Sequence, residues 1–198
     1  MKFGFQKKKI LPAIVPGAVM FLAAFLLFGG CGKEKQEVET ADESQMEIAT
    51  EYGTVDDLAL ADSLWKVISH KKSGYRSWKS WNGTNVEMVP GRSPHGAFLK
   101  TFVSPEASVS VEIPLDAILV KENFGDDKKT MVAITAMWRL AGYDPDNFDW
   151  FWAKYNPDGS LDSDPQRVKL AGRIGKGTDT GCVSCHAQSK GGDLVFTN

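Results

Sequence analysis

The chain of 198 residues predicts an α+β domain, mostly antiparallel sheet with flanking helices, on three observations. Residues 54–70 carry apolar side chains near helical spacing behind a capping signal. Four later runs, 97–103, 118–121, 131–140 and 149–155, are rich in β-branched and aromatic residues. The turn-rich gaps between them leave no room for crossover helices, so neighbouring strands should pair antiparallel.

Taken in order, residues 1–30 begin with Lys2, Lys7, Lys8 and Lys9 and continue into an apolar run over 10–28. Small residues, Gly29 and Gly30, stand directly before Cys31. This is the pattern of a lipoprotein export signal, with Cys31 as the lipidated first residue of a chain held on the periplasmic side of a bacterial envelope. The alternative is an uncleaved membrane anchor, because the run is nearly long enough to span. Pro12, Pro16 and Gly17 weaken it as a packed helix. Residues 31–53 hold seven acids and few large apolar side chains, too little apolar surface to offset the entropy of ordering. They read as an acidic tether, leaving 54–198 as the domain. Without residues 1–30 the chain carries 19 basic against 25 acidic side chains, a net charge of −6. That balance speaks against nucleic-acid binding and is compatible with docking to a basic redox partner.

Thr54 with Asp57 forms a capping-box-like start, and Val55, Leu58, Leu64, Trp65 and Ile68 follow near helical spacing up to about His70. His70, beside Lys71 and Lys72, reads as a surface histidine at a helix end. Residues 74–96 are rich in Gly, Pro, Ser and Asn, a connection held down by Trp78 and Trp81. His95, in a Pro-His-Gly context, reads as a turn histidine, with a ligand-facing role as the alternative. Turn signals at 123–127, 142–145 and 156–159 then separate the strand runs.

Residues 160–181 are a polar, Gly-rich approach to Cys182-Val183-Ser184-Cys185-His186. Cys-x-x-Cys-His is the attachment pattern of a c-type haem. Two thiols one helical turn apart can each form a thioether with a haem vinyl group, and the adjacent histidine supplies the proximal iron ligand. Zinc would need two further ligands, and only Cys31, His70 and His95 are candidates. A redox dithiol would follow a strand in a βαβ setting, which the preceding residues lack. Haem attachment at Cys182 and Cys185 with His186 as ligand is therefore the expectation, one covalent haem c per chain. Such haems are attached outside the bacterial cytoplasm, so this motif and the export signal agree independently. Three cysteines divide into one lipidation site and one haem pair.

The motif stands close to the C-terminus, whereas small electron-transfer cytochromes carry it near the start and recruit a methionine downstream. No methionine follows His186. Met88, Met131 and Met137 lie upstream, where packing is the commoner role. Four-helix cytochromes place the motif late, but the strand pattern contradicts four long helices.

Several stretches carry a resemblance. Pro94-His95-Gly96-Ala97, Ile118-Leu119-Val120-Lys121-Glu122, Met137-Trp138-Arg139, Gly142-Tyr143-Asp144-Pro145, Asp149-Trp150-Phe151-Trp152, the haem motif and Asp193-Leu194-Val195-Phe196 occur in an order that resembles the cytochrome P-460 family. The resemblance covers roughly 55–198 and implies a mostly antiparallel β domain with flanking helices, often a homodimer. It implies enzymes oxidising hydroxylamine or nitric oxide, or the similar cytochromes c′-beta, which bind nitric oxide without that turnover. In the family's enzymes a lysine at the position of Lys121 is joined covalently to the haem edge; the alternative is an ordinary strand lysine. A pocket carboxylate takes the substrate's protons there, and Asp179 and Glu122 are the nearest acids in sequence to the haem-contact stretches. Phe98, Phe102, Trp138, Trp150 and Trp152 are candidates for the distal wall, with plain core packing as the commoner role for such aromatics, and with no obvious sixth ligand the iron would be five-coordinate and open to a small nitrogen ligand. A plain electron carrier would instead need a sixth ligand, His95 or a methionine.

Overall fold

The computed structural model describes residues 51–108, 112–190 and 193–196. The export signal, Cys31 and all but the last three residues of the acidic tether lie outside the described residues. Among the described residues no helix is long and apolar enough to cross a membrane.

Helix α1, Val55–Ile68, starts as its sequence dictates. The Thr54 hydroxyl accepts the Asp57 backbone N–H, and the Asp57 carboxylate accepts the Thr54 backbone N–H, closing a capping box worth about 1 kcal/mol. Asp57 is buried and also accepts the Tyr143 hydroxyl at 2.6 Å, so the same carboxylate pins the helix to the loop that carries Tyr143. The helix ends at Ile68, with Ser69 as its C-cap, two residues short of the expected stop at His70.

Among the described residues six strands follow: β1 Met88–Pro90, β2 Phe98–Val103, β3 Ile118–Phe124, β4 Met131–Arg139, β5 Trp150–Tyr155 and β6 Ala171–Gly172. They form one antiparallel meander in sequence order, as the short connections predict. A one-turn helix α2, Pro105–Ser108, sits between β2 and β3, and α3, Cys182–His186, lies near the end. Strands β1 and β6 fall in stretches that sequence pattern assigns to connections. The tether also stops early: Tyr52 bridges Gly172, and its hydroxyl donates to Asp164 at 2.5 Å.

The sheet is buried on both faces. Along β3 alternate side chains point to opposite sides. Ile118 and Val120 join Ile134, Ala136, Phe151 and Tyr155 beneath Leu64 and Ile68 of α1. Leu119 goes the other way, with Val103, Met137, Trp150 and Trp152, against Val183, Leu194 and Val195. This second face carries the site. Segment 193–196 folds back here: Leu194 and Val195 are buried, and the Trp150 indole N–H donates to the Asp193 carbonyl at 2.8 Å.

Candidate functional site

Strand register builds the floor of a cavity of about 240 Å³ on this face. One cross-strand row runs Leu119, Met137, Trp152; the next runs Lys121, Thr135, Lys154. Period-two alternation puts Lys121 in the cavity and sends its neighbour Glu122 through the sheet. There Glu122 is buried and accepts the Tyr75 hydroxyl at 2.8 Å and the Arg76 side chain at 3.2 Å. Lys154 pairs with Asp162 at 3.0 Å. Lys121 has no hydrogen-bond or ion-pair partner among the described residues, and burial holds its ammonium below the usual lysine range.

The opposite wall is α3. Gly181 enters it at φ 115, and a Cβ there would sit 2.6 Å from the Gly175 Cα, so glycine is required by conformation and by space. Val183, buried, donates its backbone N–H to Ile174 at 3.0 Å and anchors the turn. Cys182 and Cys185, one turn apart and both free thiols, line the cavity together with His186. Burial pushes the Cys182 thiol up to about 12, so it stays protonated at neutral pH. A redox dithiol needs the opposite shift.

His186 is 5% exposed, and its Nδ1 lies 2.7 Å from the Leu194 carbonyl, an oxygen that can only accept. Nδ1 therefore carries the proton and Nε2 the lone pair, the state in which a histidine binds a metal. Burial lowers its pKa from 6.5 to about 4, keeping the ring neutral, with Lys121 and His95 adding to the effect. The ring packs edge-on against Trp152 at 4.6 Å and Phe196 at 5.2 Å. Trp152 is 3% exposed and its indole N–H has no partner among the described residues, leaving an orphan donor on a cavity-lining residue.

Of the residues singled out from sequence, Lys121, Cys182, Cys185 and His186 come together here. Asp179 lies in an exposed turn and Glu122 on the far face, so neither lines the cavity, nor does any other Asp or Glu among the described residues. His70 is exposed, with Ser73 against its Nδ1. Only Trp152 of the expected aromatic wall lines the cavity. Phe102 and Trp138 pack on the α1 side, Trp150 holds segment 193–196, and Lys128 covers Phe98. His95, read from sequence as a turn histidine, does sit in a turn, yet it lines the cavity with its ring centre 6.1 Å from that of His186. The signal for that was absent locally, because it depends on pairing between β2 and β3.

No protein-family model matches the chain, and no curated protein matches it in sequence.

Proposed function

We propose that this domain is an exported mono-haem c-type cytochrome, lipid-anchored through Cys31, that binds hydroxylamine or nitric oxide at its iron and oxidises it. A redox partner protein takes the electrons. The observation that carries the reading is His186, neutral and held by its Nδ1–H, with Nε2 unpartnered among the described residues, sharing one cavity with two thiols.

The donor set suits that cofactor. Each thiol can add across a vinyl group, its S–H bond and the vinyl π bond giving way to one C–S and one C–H bond, with no oxidant required. An iron that brings four porphyrin nitrogens needs only axial protein ligands. That is consistent with the lack, among the described residues, of any group of three His, Cys, Asp or Glu side chains suited to an ordinary metal site. The orphan Trp152 N–H is a donor that a bound group would satisfy. Once bound, haem supplies a redox-active iron able to coordinate a small nitrogen molecule. Lys121, partnerless among the described residues and in low-dielectric surroundings, holds more of its nucleophilic neutral form, which supports a covalent bond from its Nζ to the haem edge; that bond exchanges one N–H and one haem C–H bond for a C–N bond, with the two protons and two electrons passing to a peroxide oxidant that is reduced to water. A second reading, a simple electron carrier, draws support from His95 in the same cavity.

Purified holoprotein given hydroxylamine and an artificial electron acceptor is expected to reduce the acceptor over many turnovers. Digested, it should yield a haem peptide joining the Cys182–His186 segment to Lys121. No turnover, together with separate Lys121 and haem peptides, would overturn the oxidising reading and leave ligand binding or electron carriage.

A further inference from the structure

His95, in the lining of the same cavity, repeats the arrangement of His186. Its Nδ1 lies 3.0 Å from Asn123 Oδ1. The amide's orientation is set by its other bonds. Asn123 Nδ2 faces the carbonyls of Lys121 and Ala133 and the Thr135 hydroxyl, while Oδ1 also receives the Gly96 backbone N–H. Oδ1 is therefore an acceptor, His95 Nδ1 must donate, and Nε2 carries a lone pair with no partner among the described residues. Asn123 is 1% exposed, a buried amide with every hydrogen-bonding group engaged. Such outer-sphere acceptors fix the tautomer and orientation of metal-binding histidines.

The spacing separates two roles. Two iron–imidazole bonds of about 2 Å, with just over 1 Å from each bonded nitrogen to its ring centre, place the ring centres about 6 Å apart. An iron-bound molecule hydrogen-bonded to His95 would add roughly 3 Å. The observed separation is 6.1 Å. Met137 also lines the cavity, but it belongs to the packed row on the sheet.

We propose that His95 is the second axial ligand of the resting iron, opposite His186, so that a small ligand binds only by displacing it. The proposal rests on the haem reading above and departs from the five-coordinate iron expected from a sequence with no obvious sixth ligand. It makes His95 the residue that decides between catalyst and carrier: a readily displaced histidine permits substrate binding, and a firmly held one leaves electron transfer alone.

Electron paramagnetic resonance and optical spectra of the full-length ferric holoprotein test it. The wild type is expected to be low-spin. His95→Ala is expected to become high-spin, and its reduced form to bind carbon monoxide about tenfold or more tightly, because no side chain competes for the site. His95→Met should remain low-spin with a raised reduction potential. Met137→Leu should stay low-spin in the ferric state, because its sulfur is not the ligand. Covalent haem with a high-spin wild-type spectrum that His95→Ala does not alter would overturn the proposal and leave the haem reading standing. A chain carrying no covalent haem would remove both.

Discussion

Replacing Cys182 and Cys185 together by serine is expected to abolish covalent haem attachment completely while leaving the sheet folded. Both thiols line the cavity, one turn apart on a helix whose start is fixed by Gly181 and whose middle is anchored by buried Val183. Serine keeps the shape of the side chain but cannot form the thioether. Haem retained through His186 alone would leave the chain on denaturing electrophoresis, whereas the wild-type band would stay haem-positive. Each single variant should keep one thioether and a shifted visible spectrum, since one vinyl group stays intact. A double variant that still held haem through denaturation would show that attachment lies elsewhere.

Trp150→Ala should be among the most damaging single changes in the core. The indole is fully buried, and truncation of such a side chain costs about 3–5 kcal/mol, the lost burial plus the cavity left behind. In a domain of this size that is a fall in Tm of roughly 10 °C or more. The effect should also reach the site. The Trp150 N–H holds the Asp193 carbonyl, and the next residue, Leu194, provides the acceptor that orients His186. Trp150→Phe keeps most of the apolar contact and loses this hydrogen bond, so it should cost about 1 kcal/mol while still weakening the iron–histidine bond. Calorimetry of both variants, with the iron–histidine stretching frequency of the reduced proteins, separates packing from positioning. A Trp150→Ala variant within a few degrees of wild type would contradict the assigned core.

Where local chemistry specifies an element, the sequence was enough to find it. Thr54 and Asp57 cap α1 through bonds three residues apart, and β3, β4 and β5 are dense in β-branched and aromatic side chains. Strands β1 and β6 are two or three residues long and contain Pro90 and Gly172, so only their pairing partners define them. The facing of β3 was hidden for a different reason. A strand buried on both sides shows no polar alternation, so nothing local says that Lys121 looks into the cavity and Glu122 away from it. The same limit applies to His95, which reaches the site because buried Asn123, across the β2–β3 pairing, receives its ring. Asp179 fails in the opposite sense: three residues from Cys182 along the chain, it stands on an exposed turn outside the cavity lining.

Cys182, Cys185 and His186 are expected to hold one haem over the Lys121 face of the sheet. The most direct measurement of this attachment is the absorption spectrum and intact mass of the chain purified from a haem-making host able to export it, taken after denaturation and solvent extraction. The account predicts a coloured protein whose mass exceeds that of the polypeptide by one haem that extraction does not remove. A colourless chain with the mass of the polypeptide alone would contradict it.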